Sequence, residues 1–219
     1  MGTGNRTQET GNGRRLGILI SGRGSNLQAI IDATTDGRLD ATVRVVISNR
    51  PGVQGLERAR AAGIETLVVD HTTFSSRSSF DRALVAVLKE RNVDLVCLAG
   101  FMRLLGAEFV SAFPNAVLNI HPSLLPAFPG LDAQRQAWAY GVKLSGVTVH
   151  LVTEDLDAGP ILAQAAVPVR DEDTPETLAT RILAEEHRVY PDAIARVLRG
   201  GWRIDGRRFI VGHHEEHEA

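Results

Sequence analysis

An apolar strand ends on a polar pair in the segment VLNIHPSLLP, residues 117–126. Successive side chains of a strand point to opposite faces, so Asn119 and His121 share one face while their apolar neighbours share the other. Pro122 restricts the residue before it to extended conformations and cannot donate to a ladder, which predicts that the strand ends at His121. Open α/β sheets bind ligands at this edge, although such a pair is also typical of a turn cap. The pair alone therefore leaves both a functional and a structural role open.

The composition is that of an ordinary globular protein, with 219 residues of which 43% are hydrophobic and 23% are charged. The formal net charge of −2 argues against nucleic acid as the main ligand. Cys97 is the single cysteine and lies in an apolar strand pattern, so we expect a core residue rather than a reactive thiol. No apolar run approaches the ~18 residues of a membrane span, and no signal peptide is recognisable. We expect a cytoplasmic protein that binds no membrane.

Strand and helix patterns alternate within one expected domain at residues 14–211, between polar tails at residues 1–13 and 212–219. Five strand-like runs are separated by helical patterns, which predicts right-handed crossovers and a doubly wound parallel sheet. After His121 the pattern changes to two adjacent strands, a long helix over Pro175–Arg199 and a terminal hairpin. We therefore predict a three-layer α-β-α, Rossmann-like fold whose mostly parallel sheet has an antiparallel C-terminal part.

A glycine turn, SGRGSN at residues 21–26, follows the first predicted strand and opens a helix. The free N–H groups of a helix start favour an anion, and glycines allow it to approach the backbone closely. The turn matches neither the dinucleotide fingerprint nor the Walker loop, so a single phosphate monoester is the better fit. A plain tight turn with Ser25 as N-cap remains the alternative.

An acid stands in a second turn, LDAGP at residues 156–160. By itself this pattern is typical of a structural turn. Beside His121, the Asp157 carboxylate would fix the ring and favour its charged form. No motif marks a serine, cysteine or threonine nucleophile, and Asn119-x-His121 lacks the spacing of a metal site. The set favours direct attack by a substrate group, with the protein stabilising an oxyanion and moving protons.

Together these segments resemble the phosphoribosylglycinamide formyltransferase family of folate-dependent enzymes. The matching pieces run in the family's order between residues 16 and 202: SGRGSNLQAII, AGFMRLL, LNIHPSLLP and LDAGPILAQ. The resemblance implies the formyltransferase fold and transfer of a formyl group from 10-formyltetrahydrofolate, as co-substrate, to the amine of glycinamide ribonucleotide. It implies no metal, and it leaves monomer and homodimer open.

The resemblance also implies roles for individual residues. Asn119, His121 and Asp157 match the catalytic trio, with His121 as general acid and Asp157 holding it protonated and helping the amine proton reach the folate. The glycinamide ribonucleotide side is matched by Gly24, Ser25, Asn26 and Glu186. The folate side is matched by Arg77, Met102, Arg103, Leu104, Leu105, Asn119, Thr153, Glu154, Asp155, Leu156 and Asp157. Arg23 and Asp132 stand where relatives vary or carry histidine, so the family implies no role for either.

Three other functions compete with this prediction. Methionyl-tRNA formyltransferase would need a further basic domain, and formyltetrahydrofolate hydrolase usually has a regulatory domain before the catalytic one; we expect neither here. A nucleotide-binding regulatory module would explain the glycine turn. It would not explain why an acid, an imidazole and an amide converge elsewhere.

Overall fold

The computed structural model describes residues 14–212, so the predicted tails lie outside the described residues except for Gly212. The strands are β1 Arg14–Ile20, β2 Ala41–Ser48, β3 Thr66–Val68, β4 Leu95–Leu98, β5 Val117–His121, β6 Leu144–Leu151, β7 Ile161–Pro168, β8 Trp202–Asp205 and β9 Arg208–Val211. The helices are α1 Ser25–Thr35, α2 Gln54–Ala61, α3 Arg77–Glu90, α4 Ala107–Ala112, α5 Ala133–Tyr140 and α6 Pro175–Arg199, with a 3-10 turn at His71–Thr73. None of these helices is long and apolar enough to cross a bilayer.

All the strands join one sheet in the order β3-β2-β1-β4-β5-β6-β7-β9-β8. The first five are parallel, whereas β6 runs antiparallel to both β5 and β7. The β8–β9 hairpin completes the far edge, with β9 parallel to β7. The predicted fold class is confirmed: helical crossovers give parallel pairing, and the change of pattern after His121 marks where the sheet turns antiparallel.

Helices cover both faces of the sheet and bury a core on each. On one face α1 and α6 pack with Leu27, Ile30, Tyr190 and Ile194. On the other face α3 and α4 contribute Phe80, Leu84, Phe109 and Phe113. Cys97 is fully buried in the first core, as predicted, and burial raises the pKa of its thiol. A protonated, enclosed thiol is a packing group rather than a nucleophile.

Tyr190 ties α6 to the strands that carry the site. Its hydroxyl lies 3.0 Å from the Leu98 carbonyl at the end of β4 and 3.1 Å from the Leu118 carbonyl in β5. A hydroxyl has one proton, so it donates to one of these carbonyls at a time. Glu186 stands one helical turn earlier on the same face of α6, which directs it inward, toward α1.

Helix α5 was not predicted from the sequence. It has eight residues and buries only Ala133 and Ala137, so it lacks the large apolar stripe by which a helix is recognised. Asp132, where relatives carry histidine, is its N-cap residue with φ 56°, and its exposed side chain makes no capping hydrogen bond. The helix is fixed by Trp138, whose ring nitrogen donates to the Asp173 carbonyl at 2.6 Å.

Candidate active site

Three loops converge at the carboxyl edge of the parallel strands, after β1, β4 and β5. The β4–β5 register places Leu98 beside Asn119, so the segment that follows β4 starts next to the polar pair. Ser21, just after β1, donates its backbone N–H to the Gly100 carbonyl at 3.1 Å. The glycine turn, the FMRLL segment and Asn119 therefore lie along one edge, where open α/β sheets bind ligands.

His121 ends β5, as Pro122 predicts, and its ring is buried between two acceptors. Its Nε2 is 2.8 Å from the Phe128 carbonyl, and its Nδ1 is 3.4 Å from Asp157 Oδ2. Both nitrogens therefore face oxygen atoms, an arrangement that an imidazolium satisfies with its two N–H groups. Before Nε2 can bond to a substrate, its contact with the Phe128 carbonyl must break.

Asn119 faces a residue that sequence analysis missed, His150 of β6. The amide Nδ2 lies 3.2 Å from His150 Nε2, and His150 Nδ1 lies 2.9 Å from the Leu151 carbonyl. If Nδ1–H donates to that carbonyl, Nε2 is left to accept from Asn119, which fixes which way the amide points. The sequence signal was available, because His150 pairs with Asn119 across the antiparallel β5–β6 ladder.

Asp157 joins the two histidines. Its Oδ1 lies 3.6 Å from His150 Nε2, and its Oδ2 accepts the Gly130 N–H at 2.8 Å. Desolvation raises the pKa of this carboxyl, but the nearby His150 ring, the hydrogen bond from the Gly130 N–H and the charge of His121 outweigh it, so the pKa lies below the ordinary range. Asp157 is therefore an anion at neutral pH, held in the left-handed region with φ 49°. The structure thus brings Asn119, His121 and Asp157 together, as the sequence predicts.

The glycine turn presents backbone rather than side chains. Gly24 is the N-cap residue of α1 with φ 71°, and a Cβ there would lie 2.7 Å from the Gly55 Cα, so only glycine fits. Ser25 is the first helical residue and no side chain caps the helix, which differs from the alternative that made Ser25 the N-cap. The first N–H groups of α1 have no intrahelical partners and are oriented to bind an anion.

Asn26 and Glu186 form a buried pair behind this turn, between α1 and α6. Asn26 Nδ2 donates to Glu186 Oε2, and the residues are only 7% and 6% exposed. Burial raises the pKa of Glu186, and the Asn26 hydrogen bond offsets part of that increase. Within residues 14–212, Asn26 Oδ1 is buried without a hydrogen-bond partner. A buried acceptor and a buried acid next to the turn are suited to hydroxyl groups of a ligand.

Positive charge lies beside the turn. The Arg58 guanidinium donates to the Arg23 carbonyl at 3.0 Å and to Gln28 Oε1 at 3.3 Å, while the Arg23 side chain is exposed. A cavity of about 310 Å³ adjoins Ser25 and is also lined by Arg38, Arg58 and His187. Arg38 and Arg58, which line this cavity, add to the attraction that the helix start exerts on an anion.

The predicted folate residues lie on four segments with different exposure, and one of these is β5 with half-buried Asn119. Met102 and Leu104 are 57% and 56% exposed, and Arg77 and Arg103 are exposed beside them. Leu105 is buried in the core under α3, so its side chain does not face a ligand. The β6–β7 segment is described in full: Glu154, Asp155 and Leu156 are exposed, and Thr153 Oγ1 contacts the Asp155 carbonyl at 3.4 Å. Between residues 14 and 212, no cluster of three or more His, Cys, Asp or Glu has the arrangement of a metal site.

A family model described as formyl transferase matches residues 14–194. The chain belongs to the formyl transferase family. The crystal structure of glycinamide ribonucleotide transformylase 1 from Symbiobacterium toebii superposes with a TM-score of 0.91 at 54% identity, covering 97% of this chain and 100% of that one. The family resemblance predicted from the sequence is confirmed.

Curated relatives include enzymes of two lengths. The phosphoribosylglycinamide formyltransferase of Escherichia coli (strain K12) is 47% identical over 190 residues, 87% of each chain. The trifunctional purine biosynthetic protein adenosine-3 of Drosophila melanogaster is 51% identical over 189 residues, 85% of this chain. Those residues are 14% of the Drosophila protein, so the chain spans only a small part of that relative.

Proposed function

We propose that this chain transfers the formyl group of 10-formyltetrahydrofolate to the amine of glycinamide ribonucleotide, a step of purine biosynthesis. The observation that carries the proposal is the buried cluster of Asn119, His121 and Asp157 at the same sheet edge as an open helix start suited to phosphate. The names of the relatives support the same substrates. The cluster supplies oxyanion donors and a proton carrier, and the helix start supplies an anchor for a nucleotide.

The proposed chemistry is direct acyl transfer. The amine of glycinamide ribonucleotide attacks the formyl carbon, and a C–N bond forms as the carbonyl electrons move to oxygen. The N–H donors of half-buried Asn119 and buried His121 stabilise that oxyanion, because donors shielded from water interact strongly with a charge that develops in the transition state. Collapse breaks the bond from the formyl carbon to folate N10, and the proton lost by the amine reaches N10, directly or through water. As proposed, the step needs no metal ion.

His121 must exchange one partner to take this role. Its Nε2 faces the Phe128 carbonyl at 2.8 Å, so the donor for the oxyanion becomes available when the substrate oxygen replaces that carbonyl. Asp157 stays beside Nδ1 and holds the ring in position during the exchange. An Nε2–H that can bond to either of two acceptors, the Phe128 carbonyl or the substrate oxygen, is suited to a general acid. Its proton is held in the site and is not lost to solvent.

The two substrates are proposed to enter from opposite ends of the cluster. The phosphate of glycinamide ribonucleotide would bind at Gly24, Ser25 and Asn26, with its ribose at Glu186. Folate would bind across the exposed side chains, with Leu105 contributing through its backbone alone. The proposed folate contacts are Arg77, Met102, Arg103, Leu104, Leu105, Asn119, Thr153, Glu154, Asp155, Leu156 and Asp157.

One absorbance assay tests the reaction. The purified chain is mixed with 10-formyltetrahydrofolate, with and without glycinamide ribonucleotide, and the loss of formyl-folate is followed. Loss that depends on the amine supports the proposal. Loss without the amine, with release of formate, identifies a hydrolase, and no loss in either arm favours a nucleotide-binding module without catalysis.

A further inference from the structure

The segment after β4, residues 100–106, is held at two points by buried side chains from other elements. We call this segment the folate loop, because it carries Met102, Arg103 and Leu104. Near its start, Ser21 Oγ accepts the Met102 N–H at 2.8 Å. At its end, Asp81 Oδ2 accepts the Gly106 N–H at 2.7 Å. Neither Ser21 nor Asp81 belongs to the catalytic cluster or to the proposed substrate contacts.

The Ser21 hydroxyl is fixed in one orientation. It is 6% exposed and donates its proton to Asn49 Oδ1 at 2.6 Å, so its oxygen is left to accept from Met102. Asn49 is fully buried at the end of β2, and its carbonyl lies 2.9 Å from His71 Nδ1. The network thus connects the ends of β1 and β2 to the folate loop. Ser21 is also the first residue of the glycine turn, so one hydroxyl joins the loops proposed for the two substrates.

Asp81 is an unusual residue for a purely structural anchor. It is 1% exposed on α3, and among the described residues its Oδ1 has no hydrogen-bond partner. Desolvation raises the pKa of the carboxyl, and the Gly106 N–H and the charges of Arg77 and Arg103 oppose the increase only in part. Burying a carboxylate costs solvation free energy, so a buried acid is expected where its charge interacts with other groups.

Arg77 lies on the same helix as Asp81, and Arg103 lies in the folate loop that Asp81 holds. A Cβ on Gly106 would lie 3.0 Å from Asp81 Oδ2 and 3.5 Å from Arg77 Nε, so the Arg77 guanidinium reaches the end of the folate loop. Arg77 and Arg103 are the cations among the proposed folate contacts, and both are exposed at this edge. Asp81 therefore holds the end of the folate loop to the helix that carries Arg77.

We propose that Ser21 and Asp81 are positioning residues for the formyl donor: Ser21 fixes the start of the folate loop, and Asp81 fixes its end against the helix that carries Arg77. They act through the loop rather than by touching substrate. The inference rests on the proposed function, since it assigns the loop to the folate side.

The test compares leucine, asparagine and alanine variants. Asp81→Leu removes the acceptor and the charge, and we expect the KM for 10-formyltetrahydrofolate to rise about tenfold, the effect of one lost hydrogen bond to a buried partner. Asp81→Asn retains an acceptor for Gly106, so a rise of about threefold would report the charge alone. Ser21→Ala should raise the same KM about fivefold. In all three variants the KM for glycinamide ribonucleotide should stay within about twofold of wild type.

Asp173 and Ser145 provide matched controls. Asp173 is also buried and accepts a backbone N–H, that of Arg170 at 2.7 Å, but at the start of α6. Ser145 is a buried serine in β6. Asp173→Leu should lower the melting temperature. Ser145→Ala should leave it nearly unchanged, because within residues 14–212 the buried Ser145 Oγ has no hydrogen-bond partner. Neither variant should change the KM for 10-formyltetrahydrofolate. Equal changes in the control and test variants would mean that the two anchors stabilise the fold and nothing more.

Binding measured without turnover separates this inference from the proposed function. Calorimetric titration with tetrahydrofolate should give a weaker Kd in the order wild type, Asp81→Asn, Asp81→Leu. A wild-type chain that binds tetrahydrofolate but transfers no formyl group would refute the proposed function and leave the positioning role standing. Unchanged Kd in folded Asp81→Asn and Ser21→Ala variants would overturn the inference, even if Asp81→Leu fails to fold.

Discussion

The cluster at the end of β5 and the glycine turn after β1 are built in opposite ways. The cluster assembles side chains from β5, from β6 and from the loop after β6, and its groups contact one another. The turn uses one continuous stretch, residues 22–26, and presents backbone N–H groups that no side chain caps. One site is prepared for charge that appears during a reaction, and the other for charge that the ligand brings with it.

This difference predicts which kinetic constant each site controls. Groups that act on the transition state change kcat, whereas groups that hold an unreacting part of the substrate change KM. Substitution of His121, which is not among the proposed folate contacts, should therefore leave both KM values nearly intact. Substitutions of the residues proposed to hold glycinamide ribonucleotide, Gly24, Ser25, Asn26 and Glu186, should act through that substrate alone.

His121→Ala should have the largest effect, a fall in kcat of about a thousandfold, because one residue supplies both an oxyanion donor and the proton carrier. Both KM values should stay within about threefold of wild type. Steady-state kinetics with each substrate varied in turn measure this, and retained KM values show that the variant is folded. A variant with wild-type kcat would exclude His121 from the chemistry.

Asp157→Asn should lower kcat about a hundredfold, since the amide cannot supply the negative charge that His121 faces at 3.4 Å. The loss should exceed that from removing Asp155, which is exposed on the same loop and serves as the control through Asp155→Asn. Equal losses in the two variants would make the loop, rather than the carboxylate at position 157, the important feature.

The same substitution has a pH signature in stability. Desolvation raises the pKa of Asp157. The Gly130 hydrogen bond and the neighbouring histidines lower it by more, so the net pKa lies below its ordinary value. A depressed carboxyl pKa stabilises the fold above the unfolded value of about 4 and loses that contribution as pH falls through the folded value. The free energy of unfolding of wild type should exceed that of Asp157→Asn at pH 7, and the gap should close below about pH 4. A gap that persists in acid would contradict this assignment.

His150→Leu should lower kcat about thirtyfold, because Asn119 would lose the acceptor that fixes its amide and could turn its donors away from the oxyanion. His150→Gln has an oxygen that can accept from Asn119, and it should recover most of the activity. Comparing the two variants by kcat separates the hydrogen bond from the volume of the ring. If glutamine is no better than leucine, His150 matters only as a packed side chain.

The sequence predicted the fold because each of its features is local. Helical spacing, strand runs and the proline after His121 each act over a few residues, and they determined the element order and the point where the sheet turns antiparallel. Helix α5 was missed because two alanines leave no apolar stripe.

The sites were predictable to different degrees for the same reason. The glycine turn is continuous in sequence, so its helix start could be predicted without a structure. His150 was missed because its partner Asn119 lies 31 residues away, and only the β5–β6 register brings them together. Asp81 and Ser21 were also missed, since a lone acid within α3 and a serine at a turn show no pattern until the folate loop packs against them.

Glu186→Gln should produce the smallest effects, and they should have opposite signs. Burial raises the pKa of Glu186, so its charged form costs folding free energy at neutral pH, and a raised carboxyl pKa means that this cost grows as pH rises above about 4. Glutamine keeps an acceptor for Asn26 without the charge, so at pH 7 the variant should be more stable than wild type and should have the higher Tm. At pH 4 the two proteins should have the same melting temperature.

In kinetics, the KM of Glu186→Gln for glycinamide ribonucleotide should rise about fivefold while kcat and the KM for folate are unchanged, because the acid is proposed to hold the ribose and takes no part in the transfer. A loss of kcat would mean that Glu186 acts together with the cluster. The two regions would then not control separate kinetic constants.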